Sequence, residues 1–184
     1  MKRTKEDWIA AAKSALVSEG VEAVRIDRLA KRLGVTRGGF YGYFKSRDAL
    51  LDALLDLWRI ENTAPLVRAV DEAAPDGVAQ YDAVTDVWVA EELFSPPYDS
   101  AVRDWGRTDE KVAKAVRKED EKRIKSFEGM FLNMGYSNEE AQIRARVMYY
   151  HQIGYYAMDV QEPHERRRKN LKMYRRVLTG LDTP

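Results

Sequence analysis

At 184 residues, with 45% hydrophobic and 33% charged side chains, the chain has the balance of a folded protein and not of a disordered one. It contains no cysteine, which excludes disulfides and thiolate chemistry and points to a reducing compartment. The net charge of +1 excludes a uniform polycation, yet residues 1–50 carry 11 Lys/Arg against 6 Asp/Glu while residues 51–184 carry 20 against 24, so a basic head precedes an acidic body.

No stretch reads as a signal peptide, and the longest apolar-rich run, 147–158, is broken by His151 and Gln152 and falls short of the ~20 residues a bilayer demands. A cytoplasmic protein without a membrane partner is expected. The long segments repeat with a period near 3.6 and none alternates for long, which predicts an all-α chain of about nine helices.

The first helix opens after Thr4, with Asp7 completing a rough capping box, turns Ile9, Ala12 and Leu16 inward and stops at Gly20. A second, short helix places Ile26, Leu29, Ala30 and Leu33 at i, i+3, i+4 and i+7 and ends at Gly34. A third runs from about Arg37 to Phe44. The fourth takes Ser46 as its N-cap and buries Leu50, Leu51, Leu54, Leu55 and Trp58. Beyond Asn62, Pro65, Pro75-Asp76-Gly77 and Pro96-Pro97 punctuate two or three further helices. A long helix over 109–134 closes at Gly135, Ser137 and Glu140 cap a helix reaching about Val160, and Pro163 opens a last helix that ends at Gly180.

Two short helices joined by Gly34-Val35-Thr36, with the small Ala30 in the first, have the spacing of a helix-turn-helix. Leu29 and Leu33, with Phe40 and Phe44, would wedge the pair against the first helix and leave the outer face of the third free to enter a major groove ~12 Å wide. Arg37 leads into that helix, where side chains meet base edges, and arginine pairs naturally with guanine. Arg47 stands in the first turn of the fourth helix, where a cation opposes the helix dipole. It suits a DNA phosphate docked on that N-terminus, the alternative being a solvated side chain. Lys2, Arg3 and Lys5 form either a phosphate-binding arm or a solvated terminus.

Residues 24–51 resemble the DNA-binding domain of TetR/AcrR-family transcriptional regulators through the Leu29-Ala30 pair, Gly34-Val35-Thr36, Gly38, Tyr41, Phe44, and Arg47 followed by an acid and Leu50-Leu51. The resemblance covers about the first 60 residues. It implies a three-helix DNA-binding domain, taken here as residues 1–50, and a ligand-binding and dimerisation bundle over 51–184. It further implies a repressor that dimerises through its last two helices, with Tyr41 on the phosphate backbone. The DNA contacts expected are Arg25, Thr36, Arg37, Gly38, Gly39, Tyr41, Gly42, Tyr43, Lys45 and Arg47. Three features depart from the family pattern: Gly39 replaces a small hydroxyl residue, Gly42 and Tyr43 replace a bulky residue and a histidine, and Arg25 replaces a Thr or Ser cap. Each glycine costs ~1 kcal/mol of helix propensity relative to alanine, so an irregular recognition helix is expected.

In the bundle, Glu119, Asp120, Arg123, Phe127 and Phe131 on the long helix, with Trp88, Trp105 and Tyr150, are candidates to line a small-molecule pocket; the plainer reading is core, with a Glu119–Arg123 pair. The helix 137–160 is apolar on two sides, and Ile143, Val147, Gly154 and Met158, with Leu171, Tyr174 and Leu178 of the last helix, are the expected subunit interface. The run Arg166-Arg167-Arg168-Lys169 reads most simply as a solvated face, the alternative being a contact with nucleic acid. The chain has two histidines, His151 and His164, and no metal-ligand, phosphate-loop or nucleophile-elbow motif, so neither an enzyme nor a cofactor is expected. The partners expected are double-stranded operator DNA, a second copy of the chain and an unidentified effector; the alternative is a helix-turn-helix regulator governed by a protein partner or by nothing.

Overall fold

The computed structural model describes residues 3–181; Lys2, assigned above to a possible arm, lies outside them. Nine α-helices occur among these residues: α1 (Lys5–Glu19), α2 (Ile26–Leu33), α3 (Arg47–Trp58), α4 (Ala64–Glu72), α5 (Gly77–Ala90), α6 (Pro96–Gly106), α7 (Glu110–Asn133), α8 (Asn138–Ala157) and α9 (His164–Thr179). Short 3₁₀ turns cover Val21–Ala23 and Arg37–Gly42, and a π turn covers Arg59–Thr63. No helix among them is long and apolar enough to cross a membrane.

Local chemistry sets most boundaries. Thr4 and Asp7 exchange the two bonds of a capping box at the start of α1. Ser46 caps α3 through the Ala49 amide, and Ser137 caps α8 through that of Glu140. Gly34 closes α2 at φ +67, a left-handed conformation that costs glycine nothing, and its amide reaches back to the Ala30 and Lys31 carbonyls. The segment expected as a short α-helix over 37–44 is instead the 3₁₀ turn Arg37–Gly42, which fits three glycines in six residues.

The described residues form two compact units, one within residues 1–60 and 97–117 and one within residues 61–96 and 118–184. The first therefore extends beyond the expected boundary at residue 50 and takes in most of α6. Its core joins Trp8, Leu16, Leu29, Phe40, Phe44, Leu50, Leu54 and Trp58 to Tyr98, Val102 and Trp105. Two buried polar contacts hold α6 to α3: the Trp58 indole donates to Asp99 at 2.9 Å, and the Tyr98 hydroxyl to the Leu54 carbonyl at 2.7 Å. Asp99, 2% exposed, also accepts from Arg103 at 2.7 Å, so the buried carboxylate is compensated.

In the second unit α4, α5, α8 and α9 pack with the greater part of α7 around Leu66, Tyr81, Trp88, Phe127, Met130, Phe131, Ala145 and Met148. Gly77 lets α5 begin against α7, because a Cβ there would stand 2.4 Å from the Met130 carbonyl oxygen. Helix α9 is fastened to α5 by Arg167–Glu91 (2.5 Å) and Arg175–Asp82 (2.6 Å). Its last turn is tied down by Arg144, which donates to the Leu178 carbonyl, and by the Tyr136 hydroxyl, which donates to the Thr179 carbonyl.

Candidate nucleic-acid interface

Helix α2, the Gly34 turn and the 3₁₀ segment Arg37–Gly42 make a helix-turn-helix whose inner side is set by Phe40. That ring is fully buried, edge-on to Trp8 at 5.3 Å and stacked on Phe44 at 5.4 Å. With Phe40 fixed inward, Arg37, Gly38, Gly39, Tyr41 and Gly42 are all solvent-exposed. Arg37 donates to the Tyr41 hydroxyl at 3.3 Å and lies 3.6 Å from Asp27 of α2, and both neighbours hold its pKa above the ordinary value. No spacing pointed to Asp27, which stands ten residues away in a different element. A Cβ at Gly39 or Gly42 would meet nothing within 4 Å. Thr36, Arg25 and Lys45 are exposed as well; Thr36 and Arg25 are N-caps without a side-chain bond, as expected for Arg25.

Two expected DNA contacts are engaged inside the protein. The half-buried Arg47 donates to the Val24 carbonyl at 2.6 Å and to the Val21 carbonyl at 2.8 Å. The Val21 carbonyl already accepts from the Val24 amide within the 3₁₀ turn, and the guanidinium fork adds a second bond to it while also taking the Val24 carbonyl, which offsets the unfavourable placement of a cation in the first turn of α3. Arg47 is thus a clamp within the domain, and the reason given for a phosphate on it falls away. Tyr43 is half-buried against the same core and donates its hydroxyl to the Arg3 carbonyl, while Arg3 Nε donates to the Leu33 carbonyl at 2.9 Å. Arg3 therefore serves the fold, and Tyr43 turns from solvent. Lys5 lies 5.5 Å from the centre of the Phe44 ring.

The expected pocket residues do not share one cavity. Trp105 belongs to the core of the first unit, and Tyr150 is 60% exposed. Phe127 and Phe131 are fully buried core, with Trp88 edge-on to Phe127 at 5.4 Å. The polar residues are knit together. Buried Arg123 donates to Thr63 (3.1 Å) and to the Tyr149 hydroxyl (3.0 Å), which donates to Asp120 at 2.6 Å; Glu119 is buried nearby on α7. This network satisfies groups that would be costly to bury alone.

Of the expected interface residues, Ile143, Val147 and Met158 are 50–78% exposed on α8, together with Tyr150, and Gly154 is half-buried. On α9 the expectation needs correction. Leu171 and Leu178 turn inward, Leu178 packing on the core, and the outward stripe is Met173, Tyr174 and Val177. The spacing of Asn170, Met173, Tyr174 and Val177, i, i+3, i+4 and i+7, could have revealed this face.

This architecture is all-helical, with a helix-turn-helix in its first unit. Residues 9–54 match the profile of the bacterial regulatory proteins of the tetR family. Over nearly the whole chain the fold is similar to three solved structures. A transcriptional regulator from Rhodococcus sp. Rha1 is 18% identical, covering 97% of this chain and 95% of that one, with a TM-score of 0.68. A putative transcriptional regulator from Pseudomonas aeruginosa PAO1 is 16% identical, covering 96% and 90%, with a TM-score of 0.75. A Rhodococcus sp. RHA1 protein of unknown function is 21% identical, covering 97% and 95%, with a TM-score of 0.67. No curated protein matches in sequence.

Proposed function

We propose that the protein is a cytoplasmic, homodimeric transcriptional repressor that binds a near-palindromic operator and is released from it by a small molecule. The observation that carries the DNA reading is the outer surface of Arg37–Gly42. Gly39 and Gly42 are exposed and unobstructed, so the free protein draws no packing benefit from them. Each sacrifices ~1 kcal/mol of helix propensity, and that sacrifice suits a backbone that must approach a DNA phosphate closely. Arg37, oriented by Asp27 and Tyr41, is the base-reading side chain, and Tyr41, 50% exposed, offers its hydroxyl to the phosphates.

Dimerisation is supported by the unpartnered apolar stripe on α8 and α9. Exposed side chains such as Val147, Met158, Met173 and Val177 suit a four-helix interface between two copies, as the family resemblance implies. An effector that prefers the non-binding arrangement of the dimer by ~1–3 kcal/mol lowers DNA affinity 5- to 150-fold. The network around Arg123 fills the region first assigned to that effector, so the effector reading rests on another site, described below.

Selection of bound DNA from a random pool tests the reading, followed by sedimentation of the complex and a reporter placed behind the selected site. The expected result is two inverted half-sites about 10–10.5 bp apart centre to centre, or a multiple of that, bound by dimers, with reduced expression. Single half-sites held by monomers would refute the dimer, and raised expression would make the protein an activator.

A further inference from the structure

Within the second unit, α5, α8 and α9 enclose a cavity of about 50 Å³ walled by Tyr81, Trp88, Met148, Leu171 and Leu178. Past His151, Tyr155 and Tyr174 it adjoins a wider open cleft along α8 and α9. Two polar groups on the α8 side lack partners. Gln152 is 9% exposed, and its Nε2 makes no well-formed hydrogen bond, with only the Tyr156 hydroxyl beside it. The buried Tyr155 hydroxyl is likewise unpartnered. Three residues apart on one helix, the two groups are neighbours on one face. Buried donors without acceptors are costly, and two on the wall of one cavity call for a guest that accepts hydrogen bonds.

The charges around the cavity are already balanced. Arg167 is bonded to Glu91 at 2.5 Å and to the Trp88 carbonyl at 3.2 Å, with its guanidinium 4.8 Å from the Tyr155 ring. Glu162 pairs with Arg166 at 3.2 Å and accepts from Asn170 at 3.3 Å. Burial lowers the pKa of His151, which favours the uncharged ring. What remains open to a ligand is a pair of neutral donors on an apolar wall, and that disfavours an ionised guest.

We propose that this cavity is the effector site, and that it takes a neutral, largely apolar molecule whose carbonyl oxygen accepts from Gln152 Nε2 and the Tyr155 hydroxyl, with the apolar body lying toward the cleft. The proposal rests on the effector-released reading above. The cleft at the cavity mouth is lined by Tyr150, Gly154, Met158 and Tyr174, which belong to the same apolar face as the outer stripe, so a guest that spreads α9 from α5 acts directly on the helices assigned to the subunit contact.

The test uses the full chain without DNA and cyclohexanone as probe, with methylcyclohexane and cyclohexanecarboxylate as the acceptor-free and charged comparators. Binding is read by tryptophan fluorescence, by thermal shift and by the Met148 methyl signal in NMR. The ketone binds saturably and perturbs the Met148 methyl. Gln152→Leu and Tyr155→Phe weaken it about tenfold, the scale of one lost hydrogen bond, and spare methylcyclohexane. Leu171→Trp, which fills the cavity, abolishes binding while the circular dichroism stays that of the wild type. The proposal is overturned if the wild type shows no saturable ketone binding or no Met148 perturbation, if Gln152→Leu binds the ketone as well as the wild type does, or if the carboxylate binds more tightly. The Met148 readout needs only the wild type and decides the matter should the variants fail to fold. Selected operator DNA is titrated in parallel: ketone binding that leaves DNA affinity unchanged overturns the effector role but not the cavity, whereas absence of any DNA binding overturns the regulator reading itself.

Discussion

Arg47→Met separates a clamp from a DNA contact. The substitution keeps much of the side-chain volume and removes two charged hydrogen bonds, to the Val24 and Val21 carbonyls at 2.6 and 2.8 Å. Bonds to charged groups contribute about 1.5–3 kcal/mol each. Arg47 is only half-buried, so water recovers part of that loss at the freed carbonyls, and a destabilisation of about 2–4 kcal/mol is expected. For a chain of this size that lowers Tm by roughly 4–16 °C. Urea unfolding gives the free energy, and DNA affinity across a salt series shows whether a phosphate contact was lost with it. Each lost contact flattens the slope of log affinity against log salt by about 0.9. The clamp reading expects an unchanged slope at temperatures where the variant is folded. Unaltered stability together with a flattened slope would refute it and restore the phosphate contact.

Further perturbations address the other surfaces. Gly39→Ala and Gly42→Ala meet no obstruction, so each should stabilise the free protein by about 0.4–1 kcal/mol while weakening DNA binding; unchanged affinity would show that the glycines serve no backbone approach. Val147→Asp sits on a half-exposed position and should alter the stability of the isolated chain by less than about 0.5 kcal/mol. It would bury an unpaired charge at the proposed contact, giving monomers by sedimentation and loss of operator binding; a DNA-competent dimer would remove this face from the interface. Burial lowers the His151 pKa, so as pH falls through the ordinary histidine value of about 6.5 the unfolded chain takes up a proton that the folded one resists. Stability should therefore drop between about pH 7.5 and 5.5, and less so in His151→Asn; parallel pH curves for the two proteins would count against it.

Helix limits were legible in the sequence because caps and stops act locally: Thr4 with Asp7, Ser46, Ser137, Gly34 and Gly180 each fix a boundary through neighbours within a few residues. The buried wedge of Leu29, Phe40 and Phe44 followed from spacing alone. What escaped depends on contacts distant in sequence. The acceptors of Arg47 lie 23 and 26 residues back, in a 3₁₀ turn that no periodicity announces. Trp105 reads like any bundle aromatic until α6 is seen to join the first core. Helix α9 bears two overlapping apolar stripes, and only the packing of Leu178 decides which one faces inward. The buried Arg123 network also unites Thr63, Asp120 and Tyr149 from three regions of the chain.

On the proposed reading, in which two copies pair through the apolar stripe on α8 and α9 to repress a promoter, regulation also becomes a matter of gene dosage. A single recognition segment with three glycines among six residues offers few side chains to the bases, so one chain alone would hold an operator weakly. Firm occupancy then requires two chains joined through side chains such as Val147, Met173 and Val177. Below the dissociation constant of that pair, the joined species grows as the square of the chain concentration, and halving expression leaves about a quarter of it. A promoter under such control switches over a narrower range of protein level than one bound by a monomer, and it loses its repressor abruptly as dividing cells dilute the chain.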